Sequence, residues 1–296
     1  MQIRKTKGDK IFEAVNICIM LLIIIMTLYP FWYVIIGSFN EGMDYGRGGV
    51  NLITRKFTLD NYKAVFMDDT IINAYKVTVA RTVLGTLTHL LVTALFAYGF
   101  SRKNLKGKNI YATIGIVSMY FGGGLIPYYI LLQSIGLINN FLVYILPGLI
   151  SFYHVLIFQS FFREIPDAIN ESAKIDGAGE YRIFFSLIIP LSAPVFAAIA
   201  LFTGVGHWNA FFDSLVFTTT NELQTIQLVL LKIIQSHDAA QNMANQAESI
   251  GGMDETVTSK TIQLAAMVVT VAPILALYPF LQKYFVKGIM IGSVKG

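Results

Sequence analysis

Six apolar stretches, at about 15–36, 77–100, 110–132, 141–162, 185–206 and 262–284, each approach the roughly 20 residues that a bilayer core requires of a helix. A chain so patterned has lipid for its solvent and must satisfy its backbone within each span. The expected fold is therefore an all-α polytopic membrane bundle with six transmembrane helices. Composition agrees: 55% of residues are hydrophobic and 14% charged, with mean hydropathy +0.60, whereas a soluble domain carries about a quarter charged residues. No A-x-A-like cleavage site follows the first stretch, where Tyr29, Pro30, Phe31 and Trp32 stand instead, so it reads as a retained anchor. Cys18 is the single cysteine and forms no intrachain disulfide.

Orientation follows from lysine and arginine placement. Fourteen fall in the N-terminus (Arg4, Lys5, Lys7, Lys10), the second loop (Arg102, Lys103, Lys106, Lys108), the fourth loop (Arg163, Lys174, Arg182) and the C-terminal end (Lys283, Lys287, Lys295). Six fall in the opposite loops: Arg47, Arg55, Lys56, Lys63, Lys232 and Lys260. Both termini and residues 163–184 are thereby expected in the cytoplasm of a multi-pass membrane protein. Two sizeable loops, about 37–70 and 207–260, are left outside. The apolar run 223–234 is too short to span and suits a re-entrant or surface-lying helix. Residues 236–258 are polar, either a solvated connector or a docking surface.

Seven of eight prolines lie in or at the ends of spans, with Gly122-Gly123-Gly124 and Pro147-Gly148 inside spans three and four. Proline removes a donor and breaks its helix. Either ordinary packing or a bundle bent around a pathway accounts for them; composition does not separate the two. Enzyme chemistry finds no support: there is no G-x-S-x-G nucleophile motif, and four scattered histidines give no metal-ligand spacing.

Residues 163–190, REIPDAINESAKIDGAGEYRIFFSLIIP, form a charged island between two apolar spans. Asp167 is placed to cap a short helix through residue 175, with Ile169 and Ala173 on one face. Gly177 supplies the positive φ of a sharp turn. A second short helix, about 179–186, carries Tyr181, Phe184 and Phe185. Two such helices suit either a solvated connector or insertion into a partner's groove.

The run Glu171-Ser172-Ala173, three residues, Gly177, nine residues, then Leu187-Ile188-Ile189-Pro190 resembles the EAA loop of bacterial ATP-binding-cassette importers. The family pattern is E-A-A-x3-G-x9-I-x-L-P; Ser172 replaces an alanine, and the aliphatic pair before the proline is exchanged. The string E-S-A-K-I-D-G-A resembles permeases that import carbohydrates. Tyr278-Pro279, residues 282–288 and Gly292–Gly296 are similar to the end of the maltose-type second permease subunit. Gly122–Pro127 and Gly136–Asn140 resemble a subgroup for complex oligosaccharides, alginate-type uptake among them. The resemblance covers nearly the whole chain and is weakest in 1–14 and 236–258.

The resemblance implies a multi-pass protein of the bacterial cell (inner) membrane, with a first segment 1–70, a permease core 71–285 and a cytoplasmic tail 286–296. No G-x4-G-K-[ST] phosphate loop is present, so no cofactor is expected in this chain; ATP and Mg would be bound by a partner ATPase dimer. The other implied partners are a second homologous permease, an extracytoplasmic solute-binding protein, the bilayer and the carbohydrate, with no nucleic acid. On that analogy Glu171, Asp176 and Gly177 serve ATPase coupling, with Ile169, Ala173, Phe184 and Phe185 as apolar anchorage. Gly288, Gly292 and Lys295 of the tail would contact the ATPases. Candidate substrate contacts are Trp208, Asn209, Tyr120 and Tyr128, for which an aromatic interface belt is the favoured reading. His89 and His154 read as lone packed or pore-adjacent groups, and Arg81 as snorkelling to the outer surface rather than pairing with a partner subunit. The rivals are a permease for amino acids, peptides or phosphate, and a gradient-driven carrier, which usually shows intramembrane carboxylates; no confident span holds an Asp or Glu.

Overall fold

A computed structural model describes residues 7–246 and 257–293, with side chains for 7–236 and 257–276. The described residues are helical and contain no strand; one isolated bridge joins Asn40 and Phe57. In chain order the helices are α1 (Lys7–Ser38), α2 (Gly42–Gly46), α3 (Asp60–Met67), α4 (Asp69–Ser101), α5 (Lys108–Tyr120), α6 (Leu125–Ser134), α7 (Phe152–Glu164), α8 (Asp167–Ile175), α9 (Glu180–Ile183), α10 (Ile189–Leu191), α11 (Ala193–Asn209), α12 (Phe212–Phe217), α13 (Ile226–Gln246) and α14 (Ser259–Ser293).

Three of the described helices are individually long and apolar enough to cross a membrane: α1, α4 and residues 259–276 of α14. Three further spans arise only if bent pairs each count as one: α5 with α6 at 115°, residues 141–148 with α7 at 49°, and α9–α10 with α11 at 82°. The breaks fall where the sequence removes donors or side chains. Gly122–Gly124 separate α5 from α6, Pro147 and Gly148 precede α7, and Pro190 and Pro194 flank Ser192. Between the two prolines the Ser192 amide keeps its own place in the ladder, donating to both Ile188 O and Ile189 O, at 3.0 and 3.2 Å.

The chain divides into two compact units, residues 1–68 with 230–271, and residues 69–229 with 272–296. In the first, α1 exposes its apolar residues along most of its length and is buried at Ile36, Gly37 and Ser38. A buried polar knot follows. The Asn40 amide donates to Asp44 Oδ2 at 2.9 Å, while Asn40 Oδ1 accepts from the Arg55 and Lys56 amides at 2.9 and 3.1 Å. Asn61 Nδ2 donates to Ser38 O and Asn40 O, both at 2.9 Å. These bonds take up backbone groups that the end of α1 leaves unpaired.

In the second unit α4 is central. Its buried residues recur three or four apart (Ile71, Ala74, Thr78, Arg81, Gly85, His89, Thr93, Ala97), which is one helical face. That face is polar at Thr78, Arg81, His89 and Thr93, as expected where the outside is lipid and polar groups turn inward. The core at one end of α4 joins Tyr98 and Phe100 to Phe158 and Phe162 of α7 and to Ile183, Phe184 and Ile188. Gly115 of α5 opens the space for Phe152 of α7: a Cβ there would stand 2.2 Å from the phenyl ring.

Candidate functional site

The 163–190 loop is a helical knuckle fixed to the end of α4. After α7, Ile165 and Pro166 are extended, and Pro166 (φ −57°, ψ 133°) occupies the cap position of α8. Asp167 therefore does not cap. It is the first helical residue, and its carboxylate accepts from Lys103 Nζ at 2.6 Å. The Lys103 ammonium holds the Asp167 carboxyl below the usual carboxylate range, and Asp167 in turn raises Lys103.

The end of α8 is a Schellman turn. Gly177, at φ +78°, donates its amide to Lys174 O at 3.0 Å, and the Ala178 amide donates to Ala173 O at 2.9 Å. Ala173 and Ala178 both lie against the core. Space does not demand glycine at 177, since nothing lies within 4 Å of an added Cβ; the left-handed backbone does. The second helix starts where the sequence places it and runs on to Leu191, with Phe184–Ile188 widened into a π segment, a form common at functional positions.

Glu180 ties the knuckle down. Its carboxylate accepts from Tyr98 Oη at 2.7 Å, Arg102 Nη2 at 2.6 Å and Lys174 Nζ at 2.7 Å. Arg102 also lies over the Tyr98 ring, 4.3 Å from its centroid, and bonds the Tyr98 hydroxyl. Below this clamp Ile183, Phe184 and Ile188 are fully buried. The expectation that Phe184 anchors a partner is corrected here: it packs on Tyr98 of its own chain, ring centroids 5.2 Å apart. Ile169 and Ala173 are half-buried. What the knuckle presents outward is Glu171, Asp176 and Gly177 with three apolar side chains, Ile175 (86% exposed), Tyr181 (76%) and Phe185 (50%). Beside them opens a cavity of about 1300 Å³, lined among others by Arg102, Arg163, Asn170 and Glu171. Sequence reasoning missed the Glu180 clamp and Ile175. The available signal for Glu180 was an acid just past the Gly177 turn, facing a second loop that holds four cations and no acid.

The profile of the binding-protein-dependent transport system inner membrane components matches residues 4–291. The chain belongs to that family. Among its relatives, protein LplC of Bacillus subtilis (strain 168) is 36% identical over 98% of this chain and 97% of its own length. The polygalacturonan/rhamnogalacturonan transport system permease protein YtcP of the same organism is 33% identical over 97% and 99%. Of solved structures, a chain of a bacterial ABC transporter involved in import of the acidic polysaccharide alginate superposes with TM-score 0.86, at 26% identity, over 96% of this chain and 100% of that one.

In this transport-system component three of the four substrate-contact candidates, Asn209, Tyr120 and Tyr128, keep exposed side chains and Trp208 does not. Trp208 is buried (6% exposed) edge-on to Tyr75, so its face is closed to a sugar. Asn209 is exposed and meets Gln227 Nε2 at 3.5 Å. Tyr120 is 84% exposed at the end of α5, and Tyr128, beyond the bend, packs edge-on to Phe217. Arg81 does not snorkel. It is buried and pairs with Asp213 of this same chain, donates to Ala210 O at 3.1 Å and lies over the Tyr144 ring. Nor are His89 and His154 lone: His89 Nε2 and His154 Nδ1 are 2.8 Å apart. Gly288 and Gly292 continue α14 where a separate tail was expected; their contacts and Lys295 lie outside the described residues.

Proposed function

We propose that this chain is the transmembrane permease subunit of a binding-protein-dependent ABC importer that moves an oligosaccharide or polysaccharide fragment into the cytoplasm, driven by ATP hydrolysed on partner subunits. The observation that carries this reading is the knuckle: α8 and α9 are welded through Glu180 and Asp167 to the end of α4, while Glu171, Ile175, Tyr181 and Phe185 point away from the bundle. A push on that tip moves α4 as a rigid body. An exposed isoleucine, tyrosine and phenylalanine around an acid is a surface for a groove with a basic residue, which the cleft of an ATPase subunit would supply.

The reading orients both termini and the knuckle to the cytoplasm, supported by fourteen basic residues on that side against six. It takes each bent pair as one span, giving six. A second, related permease completes the pathway, and a solute-binding protein delivers the sugar to the opposite face. The carbohydrate class is supported by YtcP and by the alginate transporter.

The test uses the whole importer in proteoliposomes with its binding protein. Vanadate should abolish uptake and an ionophore should not. Glu171→Lys and Ile175→Asp should each lower binding-protein-stimulated ATP hydrolysis at least tenfold, and Glu180→Gln should uncouple hydrolysis from uptake without loss of assembly. Wild-type stimulated hydrolysis in both tip variants would refute the assignment of the knuckle.

A further inference from the structure

We infer that His154 is a solute-contacting residue at mid-membrane, its Nε2 held ready to accept a hydrogen bond from a sugar hydroxyl. This rests on the chain's being a carbohydrate permease, but the placement comes from the break before α7.

Residues 149–151, between the turn at Leu146–Gly148 and the start of α7, are not helical, which leaves the carbonyls of Gly148 and Leu149 without intrahelical partners. Two residues of α4, one turn apart, take them up: His89 Nδ1 lies 2.6 Å from Gly148 O, and Thr93 Oγ1 donates to Leu149 O at 3.1 Å. His89 lies twelve residues before Ser101, the end of α4. At about 1.5 Å per residue that is about 18 Å, close to the middle of a hydrocarbon core about 30 Å thick.

The carbonyl fixes the protons. Gly148 O can only accept, so His89 Nδ1 carries hydrogen; with neutral rings His89 Nε2 is then an acceptor, and His154 Nδ1 must donate to it across 2.8 Å. The relay ends at His154 Nε2 with a lone pair and no proton. Histidine 154 is half-buried, and the exposed ring of Tyr153 lies 5.7 Å from it. On the far side of the break the His207 ring packs against Gly85, where a Cβ would come within 2.5 Å of it. Polar side chains inside a membrane face the bundle interior or a water-filled cavity, and irregular backbone at that depth survives under the same condition. An acceptor fixed by a two-ring relay, with an aromatic face beside it, matches the hydroxyls and apolar face of a sugar.

The test has two independent readouts in the full importer. On a Cys18→Ser background, His154→Cys should react with a charged, lipid-insoluble thiol reagent in the resting or the vanadate-trapped state. No reaction in either state would put the residue against lipid or the partner permease and overturn the inference. Uptake is then measured on oligogalacturonide and alginate digests by mass spectrometry. His154→Leu should raise the half-saturating concentration about tenfold, the effect of one lost hydrogen bond. His154→Gln, which can donate to His89 and still offer an acceptor, should stay within twofold. Equal loss in both variants with impaired assembly would make His154 merely structural. Failure of the wild type to take up either digest would count against the carbohydrate reading alone, since the labelling does not depend on it.

Discussion

Gly177 shows how one residue can be required by backbone geometry alone. Its φ of +78° lies where L side chains are strained, yet its surroundings are open. Substitutions should therefore rank by tolerance of the left-handed region rather than by size. Gly177→Asn should be mild, Gly177→Ala should cost about 1 kcal/mol and Gly177→Val more. Thermal unfolding in detergent would read that order; Asn proving worse than Val would mean that sterics govern the turn. Asp44, in the first loop, makes a different kind of prediction. Its carboxyl is held below the ordinary range first by the Asn40 amide and then by Arg55, against an opposing effect of burial. A depressed folded-state pKa contributes stability above the unfolded value of about 3.9, and that stability is lost as pH falls through the folded value. The amides of Arg55 and Lys56, which bond Asn40 Oδ1, should gain hydrogen-exchange exposure only below about pH 4, and Arg55→Leu, which removes a cation that lowers Asp44 but keeps both amides and their acceptor, should move that onset to higher pH.

At the scale of elements, close contact between helices is set by glycines whose neighbours are far away in sequence. Gly115 of α5 receives the Phe152 ring of α7, with an imagined Cβ 2.2 Å from it. Gly115→Ala should destabilise the protein by about 1–3 kcal/mol, the usual effect of overpacking. The double variant Gly115→Ala, Phe152→Leu should recover part of the loss in a thermal melt; additive losses would place the strain elsewhere. The elements themselves were legible, because runs of about 20 apolar residues have few solutions in lipid, and the glycines and prolines of the sequence mark the observed breaks. The turn at Gly177 was legible for the same local reason. The lengths of the knuckle helices were not, since Asp167 prefers Lys103 to a capping role and the helix widens at Phe184. Pairings across the chain were invisible: Glu180 with Tyr98 is 82 residues apart, His89 with His154 65, and Arg81 with Asp213 132. No periodicity encodes such pairs. In sequence an aromatic beside an amide fits a sugar contact or, preferentially, an interface belt, whereas the burial of Trp208 against Tyr75 is a tertiary fact.

Across the whole span of α4 the polar contacts form three levels. Tyr98 and Arg102 hold the knuckle at one end, and His89 and Thr93 mend the break before α7 near the middle. Arg81, twenty residues before Ser101 and so about 30 Å away, meets Asp213. This last pair ties α12 to α4. The Arg81 side chain is 3% exposed and that of Asp213 25%. The guanidinium is further satisfied by Ala210 O and the Tyr144 ring, while Arg81 Nε has no hydrogen-bond partner among the described residues. A buried ion pair contributes little net stability, yet removing one partner strands the other charge. Asp213→Ala should accordingly destabilise the protein by about 3–5 kcal/mol, and Arg81→Met alone by less, because a partly exposed acid can rehydrate where a buried guanidinium cannot. The double variant Arg81→Met, Asp213→Leu should unfold close to wild type. If instead the double variant is no better than Asp213→Ala, the pair holds α12 by hydrogen-bond geometry that an apolar contact cannot replace. Where the double variant is stable, its uptake in proteoliposomes shows whether this latch must open during transport: uptake at the wild-type rate would make it a fastening, and altered uptake with intact assembly would make it a gate.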